Sequence, residues 1–278
     1  MARSNAGLTA SDSEASVSGI GWAREWRFLG ISALLFIAGA WGTIRWCESM
    51  SGGMAMPGGW TMSMAWMRMP GQTWLGAAAS FVLIWVMMMV AMMLPSLVPM
   101  LLRYRGSVRV SNQTRLGRLT ALAGAGYLFV WAVFGAAVYP LALVLTAAYM
   151  RWSALARSVP IATGFVLLLA GCFQLTRWKA RQLGHCRNTP ARDQSHCSAA
   201  RSAWQNGLRL GAHCSLCCFG FMLILLATGV MRLGAMAIVA TAITVERLSP
   251  KPQHVARVTG IGIIATGALV IARALGVA

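Results

Sequence analysis

Charged residues are scarce in this chain, and acidic residues are the scarcest of all. Charged residues make up 11 % of the 278 positions, with six Asp and Glu against 24 Lys and Arg, whereas hydrophobic residues make up 58 %. The sequence has no phosphate-binding loop, no nucleophile–base arrangement and no spacing that pairs carboxylates, which argues against a hydrolase or transferase. A composition this apolar is typical of a membrane protein in contact with the lipid bilayer.

The sequence also lacks any stretch that could fold as a separate soluble domain. The longest loops, 47–73 and 178–206, are too short for a core of their own. Residues 1–20 are mostly small and polar, and we expect 1–27 to form a disordered cytoplasmic N-terminus, with 28–278 as a single transmembrane domain. The apolar segments cover about 28–46, 74–102, 119–148, 159–177, 207–230, 233–248 and 256–276.

These lengths reach or approach the roughly 20 residues that cross a bilayer as a helix. They predict an all-α polytopic transmembrane helical bundle of six or seven spans, the span at 233–248 being the shortest. The last segment is rich in glycine, so we expect it to pack closely on a neighbouring helix.

The net charge of +18 does not indicate a nucleic-acid partner, because the basic residues cluster in short loops between apolar segments. With the N-terminus in the cytoplasm, 18 of the 24 lysines and arginines fall in cytoplasmic segments. The exceptions are Arg45, Arg68, Arg151, Arg157, Arg232 and Arg273. This bias predicts a cytoplasmic N-terminus, and it places 47–73 on the extracytoplasmic side and 178–206 on the cytoplasmic side.

Methionine is concentrated in the extracytoplasmic segment "CESMSGGMAMPGGWTMSMAWMRMP", residues 47–70. Thioether sulfur is a soft donor that favours Cu(I) over hard cations, so this loop is a candidate for metal capture. The alternative is a flexible apolar loop on the membrane surface, because methionine adapts to irregular packing. The candidate ligands are Met54, Met56, Met62 and Met64.

A second methionine group lies in "WVMMMVAMMLPSLVPM", residues 85–100. Met89, Met92 and Met93 share one face of a helix. Pro95 and Pro99 predict a kink or break that frees backbone carbonyls at that depth. The segment is therefore either a metal-binding lining or a methionine-rich contact between helices.

The segment "AHCSLCCFG", residues 212–220, opens an apolar run near its predicted cytoplasmic entrance. On a helix, His213, Cys214, Cys217 and Cys218 occupy one side over little more than one turn. They are candidate ligands of a soft metal ion at the depth of the methionine stripe. Two alternatives stay open: packing, and thiol redox chemistry of Cys214 and Cys217, which needs a distorted or N-terminal helical turn.

Two further groups could take part in metal binding. The dipeptides His185–Cys186 and His196–Cys197 in the cytoplasmic loop could form a zinc site or receive Cu(I). Glu246, near the inner end of the sixth span, is a carboxylate at a depth where such groups are often functional. A structural ion pair is the favoured interpretation of Glu246, since Arg247 is adjacent.

Several stretches together resemble a bacterial family of predicted metal-binding integral membrane proteins, a domain of unknown function with a C-x-x-C-C motif. They are "WVMMMVAMMLPSLVPM", "YLFVWAVFGAAVYPLAL", "QLTRWKARQLGHCRNTP" and "GLRLGAHCSLCCFGFMLILLATGVMRLGAMAIVATAITVERLSP", which cover most of residues 80–250. The family pattern places a C-x-x-C-C block at the start of a helix, followed by a methionine-containing segment that ends in Glu-Lys. In this sequence Arg247 replaces the lysine, and His213 stands where an aromatic residue is more usual.

The resemblance implies a bacterial inner membrane location and a ligand set. Its members here are Cys214, Cys217, Cys218, Met222, Met231, Met236 and Glu246. The resemblance does not indicate any chemical reaction that the protein would carry out.

From the residues and the resemblance together we expect a non-enzymatic protein that binds and handles a soft transition metal. We expect Cu(I), with Zn as the alternative ion, for uptake or for delivery to a copper enzyme or metallochaperone. The order from thioether to thiolate donors would draw the ion towards the cytoplasm. The alternatives are a membrane thiol-disulfide oxidoreductase and a non-catalytic membrane assembly factor or scaffold.

Overall fold

A computed structural model describes residues 8–50, 53–63, 71–107, 112–188, 199–230 and 232–276, and within 8–24, at 107, at 113 and within 184–188 it describes the backbone alone. Within those ranges the chain forms eight helices and one two-stranded hairpin. The helices are α1 Leu8–Ser49, α2 Trp74–Ser107, α3 Gln113–Arg151, α4 Ser153–Gln174, α5 Arg177–Asn188, α6 Ala199–Thr228, α7 Leu233–Leu248 and α8 Pro252–Ala274, and the strands are β1 Met54–Met56 and β2 Trp60–Met62.

Six of these helices are long and apolar enough to cross a membrane. The spanning segments are Glu25–Ser49, Trp74–Gly106, Thr114–Arg151, Ser153–Gln174, Ala199–Thr228 and Pro252–Ala274. The prediction of an all-α helical bundle is confirmed. Helix α7 has 16 residues, fewer than a typical span, as expected for the shortest apolar segment.

Two described segments are more helical than the sequence suggested. Helix α1 begins at Leu8, inside the segment expected to be disordered, and no proline interrupts it up to Ser49. The segment expected to be the 178–206 loop contains α5, and α6 already begins at Ala199.

Helices α3 and α6 run parallel and approach each other through small residues. A Cβ placed on Gly207 would meet the Ala123 carbonyl, and one on Gly126 would meet the Trp204 carbonyl. Close backbone approach through small residues is the usual way in which membrane helices pack. The contact fixes the depth of α6 relative to α3.

Helices α4 and α8 pack antiparallel through glycines, which confirms the close packing expected of the glycine-rich last segment. Gly164 lies against the backbone of Gly267, and Gly171 lies against that of Gly260. Helix α8 therefore begins beside the end of α4 and ends near its start.

Helices α2 and α3 pack antiparallel through aromatic rings. The ring centroids of Phe81 and Tyr139 are 5.1 Å apart, and those of Trp85 and Phe134 are 5.9 Å apart. The Trp85 indole also donates a hydrogen bond to the Trp131 carbonyl at 3.0 Å. The same antiparallel pairing, continued along both helices, places residue 92 of α2 level with residue 127 of α3.

The two prolines of α2 do not break the helix. Pro95 and Pro99 both lie inside the continuous element Trp74–Ser107, so the predicted break is absent from this described helix. Between them, the Ser96 hydroxyl donates a hydrogen bond to the Met93 carbonyl at 2.9 Å. The methionine face of α2 therefore lies on one continuous helix.

Candidate metal centre

Cys214 and Cys218 form a buried pair of sulfur atoms, here called the thiol pair. They lie one helical turn apart on α6 and are 0 % and 2 % exposed. The Arg247 guanidinium on α7 donates from one nitrogen, Nη2, to both sulfurs, at 3.0 Å to Cys214 and 3.2 Å to Cys218. Because one donor atom reaches both sulfurs, the two thiols point at a common position in the core.

Two further helices supply polar contacts to this position. The Tyr127 hydroxyl on α3 is hydrogen-bonded to the Cys214 sulfur at 2.8 Å, and Tyr127 is fully buried. On the α2 side, the Arg247 Nη1 donates to the Ser96 hydroxyl at 3.4 Å. Helices α3 and α7 therefore contact the thiol pair directly, and α2 is linked to it through Arg247.

Buried methionine side chains belong to the same hydrophobic core as the thiol pair. The predicted stripe of Met89, Met92 and Met93 is at most 3 % exposed, so it faces the protein interior and not the lipid. The stripe belongs to the same continuous buried cluster as the thiol pair. Met222, one turn beyond Cys218 on α6, and Met236 on α7 belong to that cluster as well.

His213 and Cys217 lie on a different stripe of α6 from the thiol pair. The His213 Nδ1 is 3.2 Å from the Gln182 side-chain oxygen on α5, and Cys217 packs with Leu183 and Met100. Positions 213 and 217 form one i, i+4 pair and 214 and 218 another, and successive helix positions are about 100° apart. The structure therefore divides the four predicted ligands between two stripes of α6, although the Cys217 side chain still reaches that of Cys218.

This division limits the number of ligands that meet at one point. Across the described residues, no three His, Cys, Asp or Glu side chains converge as a ready-made metal site. The protein ligands that meet at the common position are two thiols, and thioethers of the same buried core are the other soft donors in the bundle. Such a donor set suits a soft monovalent ion, because soft sulfur ligands select Cu(I) whereas structural zinc sites use four ligands.

Glu246 forms a buried ion pair, but its partner is Lys179 of α5 and not the adjacent Arg247. The Lys179 ammonium lies 2.8 Å from the Glu246 carboxylate, with both side chains at most 2 % exposed. Lys179 also donates to the Gln174 side chain and lies 4.6 Å from the centroid of the Phe221 ring. The two neighbours on α7 thus point to different groups, Glu246 to the ammonium and Arg247 to the thiol pair.

The predicted methionine loop contains a β-hairpin, residues 53–63, here called the methionine hairpin. Met54 pairs with Met62 across β1 and β2, and Met56 pairs with Trp60, so these four side chains share one face. Met56 and Met62 are buried against Ala156 at the start of α4, whereas Met54 is exposed. Met64 lies outside the described residues.

The methionine hairpin is far from the thiol pair. Its Trp60 ring packs 5.7 Å from that of Tyr149, near the end of α3, while Tyr127 of the same helix contacts Cys214. Twenty-two residues of α-helix separate Tyr127 from Tyr149, which corresponds to roughly 33 Å. The hairpin and the thiol pair are therefore two separate groups of sulfur atoms.

The geometry at the thiol pair does not match a redox C-x-x-C pair. Cys214 lies in the middle of the continuous helix Ala199–Thr228, whereas redox-active pairs lie at helix starts. Cys214 and Cys217 also face different neighbours, Tyr127 and Leu183 respectively.

Sequence reasoning missed three residues of this region. Arg247 is a charge at the inner end of an apolar segment, which is by itself a signal of function, but it was interpreted as a partner of Glu246. Nothing in the sequence distinguishes Tyr127 or Lys179 from other residues of their helices. The side chains of His185 and Cys186, and all of His196, Cys197 and Met231, lie outside the described part of the chain.

A family model described as PpoB2, copper chaperone, matches residues 82–270. The matched range includes the thiol pair, Tyr127, Arg247 and the methionine stripe, but not the methionine hairpin. No curated protein and no solved structure matches the chain.

Proposed function

The chain belongs to the PpoB2 copper chaperone family, and from this premise we propose that it holds Cu(I) between Cys214 and Cys218 and delivers the ion to a copper-requiring protein. The observation that carries this proposal is the pair of buried sulfurs directed at one position, with a single guanidinium nitrogen on both. The six helices that are long and apolar enough to cross a membrane support a binding position inside a membrane-embedded bundle.

The donor chemistry supports copper in its reduced state. Thiolate and thioether sulfurs are soft ligands that select Cu(I), and both are present in the buried cluster around the thiol pair. The nearby carboxylate that a harder ion would prefer, Glu246, is engaged by Lys179. Zinc is the alternative ion, but only two thiols converge here, fewer than its usual four ligands.

Binding consumes no other reactant. Cu(I) replaces the protons of two thiols, and the released protons leave to solvent, so affinity falls as the proton concentration rises. Tyr127 orients the Cys214 sulfur through its hydrogen bond, in the way that outer groups orient metal ligands. No step in this scheme is catalytic.

The methionine hairpin serves, in this proposal, as a separate and weaker capture site outside the membrane. Its support is the shared face of Met54, Met56 and Met62 and the soft character of their sulfurs. Along α3, the ring contacts with α2, such as that of Trp85 with Phe134, lie between the level of the hairpin and that of the thiol pair. A copper ion that moves from one site to the other therefore has to pass the level of these rings.

Copper content of cysteine variants tests the proposal. Full-length protein purified in mild detergent under reducing, anaerobic conditions should carry near-stoichiometric copper, measured by elemental analysis. The double change Cys214→Ser and Cys218→Ser should remove it, because no buried thiol pair is left. The matched control is Cys172→Ser, an exposed cysteine on α4, which should keep the wild-type copper content.

Copper retained by the Cys214/Cys218 double variant would contradict the proposal. Copper lost on Cys217→Ser alone, with the thiol pair intact, would move the binding site to the α5-facing stripe.

A further inference from the structure

The guanidinium of Arg247 places a fixed positive charge against both sulfurs of the thiol pair. We propose that Arg247 sets the charge selectivity of this site, so that it accepts a monovalent soft cation and rejects a divalent one. This inference rests on the proposed function, because it concerns the same two sulfurs.

The charge stays on Arg247 because a guanidinium is not deprotonated in proteins. Arg247 is 7 % exposed, and its Nη2 lies 3.0 Å and 3.2 Å from the two sulfurs. Its Nη1 contacts the uncharged Ser96 hydroxyl. Glu246 and Lys179 form their own ion pair, so these two charges cancel each other.

The charge of the loaded site depends on the ion. Two thiolates carry two negative charges, and a monovalent ion between them leaves one, which the guanidinium neutralises. The guanidinium nitrogen lies about 3 Å from both sulfurs, so its charge repels a divalent ion held between them about twice as strongly as a monovalent one. Burial weakens the screening of this repulsion by water, and the site therefore favours the monovalent ion.

The guanidinium also suits this role by its shape. Its planar fork of N–H groups lets one nitrogen serve both sulfurs while the other reaches Ser96 on α2. The contact with Ser96 therefore helps to hold the charge next to the two sulfurs.

The first test compares two replacements of Arg247. Affinities for Cu(I) and Zn(II) are measured on the full-length protein in detergent by competition with chromophoric chelators. Arg247→Gln should lower the preference for Cu(I) over Zn(II) by at least about tenfold, the scale of effects for groups next to metal ligands. Arg247→Lys keeps the charge and should keep most of the preference.

The matched control is Arg105→Gln. Arg105 is also a buried arginine, 8 % exposed, but it pairs with Glu25 at 2.6 Å and Thr120 at 3.3 Å, away from the thiol pair. This control reports the effect of losing any buried guanidinium, and the ratio of the two affinities should not change.

A second test neutralises the charge without removing the guanidinium. Ser96→Asp places a carboxylate next to the Arg247 Nη1, so the loaded site should now favour the divalent ion. Ser96→Asn adds similar bulk without charge. The Cu(I) preference of the Asp variant should fall at least about tenfold below that of the Asn variant. These variants retain Arg247, so they decide the matter even where its removal unfolds the protein.

The outcomes separate the two proposals. Wild-type protein that binds Cu(I), with a Cu(I) to Zn(II) preference equal in the Ser96→Asp and Ser96→Asn variants, overturns the role of Arg247 and leaves the thiol pair standing. Wild-type protein that binds no Cu(I) overturns the proposed function and this inference with it.

Discussion

At the level of single side chains, the hydrogen bond between Tyr127 and Cys214 decides how well the first sulfur is held in place. Both residues are fully buried, and the oxygen–sulfur distance is 2.8 Å. A polar group in an apolar core needs a hydrogen-bond partner, and here the phenol hydroxyl and the thiol are partners of each other. Loss of the phenol hydroxyl would remove one of the contacts that orient the Cys214 sulfur and would leave those to Arg247 and Cys218.

We therefore expect Tyr127→Phe to lower Cu(I) affinity about tenfold, at the lower end of the range for groups that orient metal ligands. Chelator competition on purified protein measures the effect. Tyr139→Phe serves as the control, because Tyr139 lies about 18 Å further along α3 and packs on Phe81. Equal affinities in the two variants would show that the hydroxyl plays no part in binding.

At the level of helices, the parallel contact of α3 and α6 brings Tyr127 to Cys214. Gly207 and Ala123 touch in this contact, with no space for a side chain on the glycine. The spacing of these two backbones therefore controls the geometry of the thiol pair as well as the stability of the bundle.

Gly207→Ala should force α3 and α6 apart, with a loss of stability of about 1–3 kcal/mol, as for overpacked cores. Thermal unfolding in detergent measures the loss, and Cu(I) affinity should fall in parallel. Gly124→Ala on α3 is the control, since a Cβ there meets nothing within 4 Å. A Gly207→Ala protein as stable as the Gly124→Ala protein would show that the interface can open without cost.

The arrangement on α6 also shows what could and could not be predicted from the sequence. Hydrophobic periodicity places the cysteines on a helix inside the membrane, but it cannot decide which stripe faces which neighbour. The stripe of α6 that carries Cys214 and Cys218 contacts Arg247 because α7 folds back along α6. This contact joins residues about 30 positions apart in the sequence. The partner of Glu246, Lys179, is 67 positions away and was invisible for the same reason.

At the level of the whole molecule, α7 brings the chain back to the predicted cytoplasmic side, where α8 begins. Helix α8 runs antiparallel to α4, with Gly260 beside Gly171 and Gly267 beside Gly164. Helix α8 therefore starts at the end of α4 that adjoins α5, the predicted cytoplasmic side. The 16 residues of α7 extend roughly 24 Å, somewhat less than the hydrocarbon core of about 30 Å.

This arrangement predicts that the two ends of the chain lie on opposite sides of the membrane. A protease-cleavable tag placed after Leu275 should be cut in intact spheroplasts, and one placed before Leu8 should be cut only after lysis. A tag inserted at Gly59, in the exposed turn of the methionine hairpin, is the control for the outer face. Cleavage of both terminal tags from the same side would show that α7 does not cross.

The bundle itself was largely predictable, because long apolar segments leave few alternatives to transmembrane helices. The ends of the helices were less predictable. Helices α1 and α6 extend well beyond their apolar parts, because no proline ends the helix there. The methionine hairpin was expected to be a flexible loop or a capture site. Gly58 and Gly59, both at positive φ, allow the tight turn that pairs its strands.

The central claim is that two thiolates of α6 hold Cu(I), and X-ray absorption at the copper edge of the loaded full-length protein tests it most directly. The account predicts a Cu(I) edge with sulfur as the nearest neighbours, and loss of this signal in the Cys214→Ser and Cys218→Ser double variant. An edge of Cu(II), or nearest neighbours of nitrogen or oxygen that persist in the double variant, would contradict it.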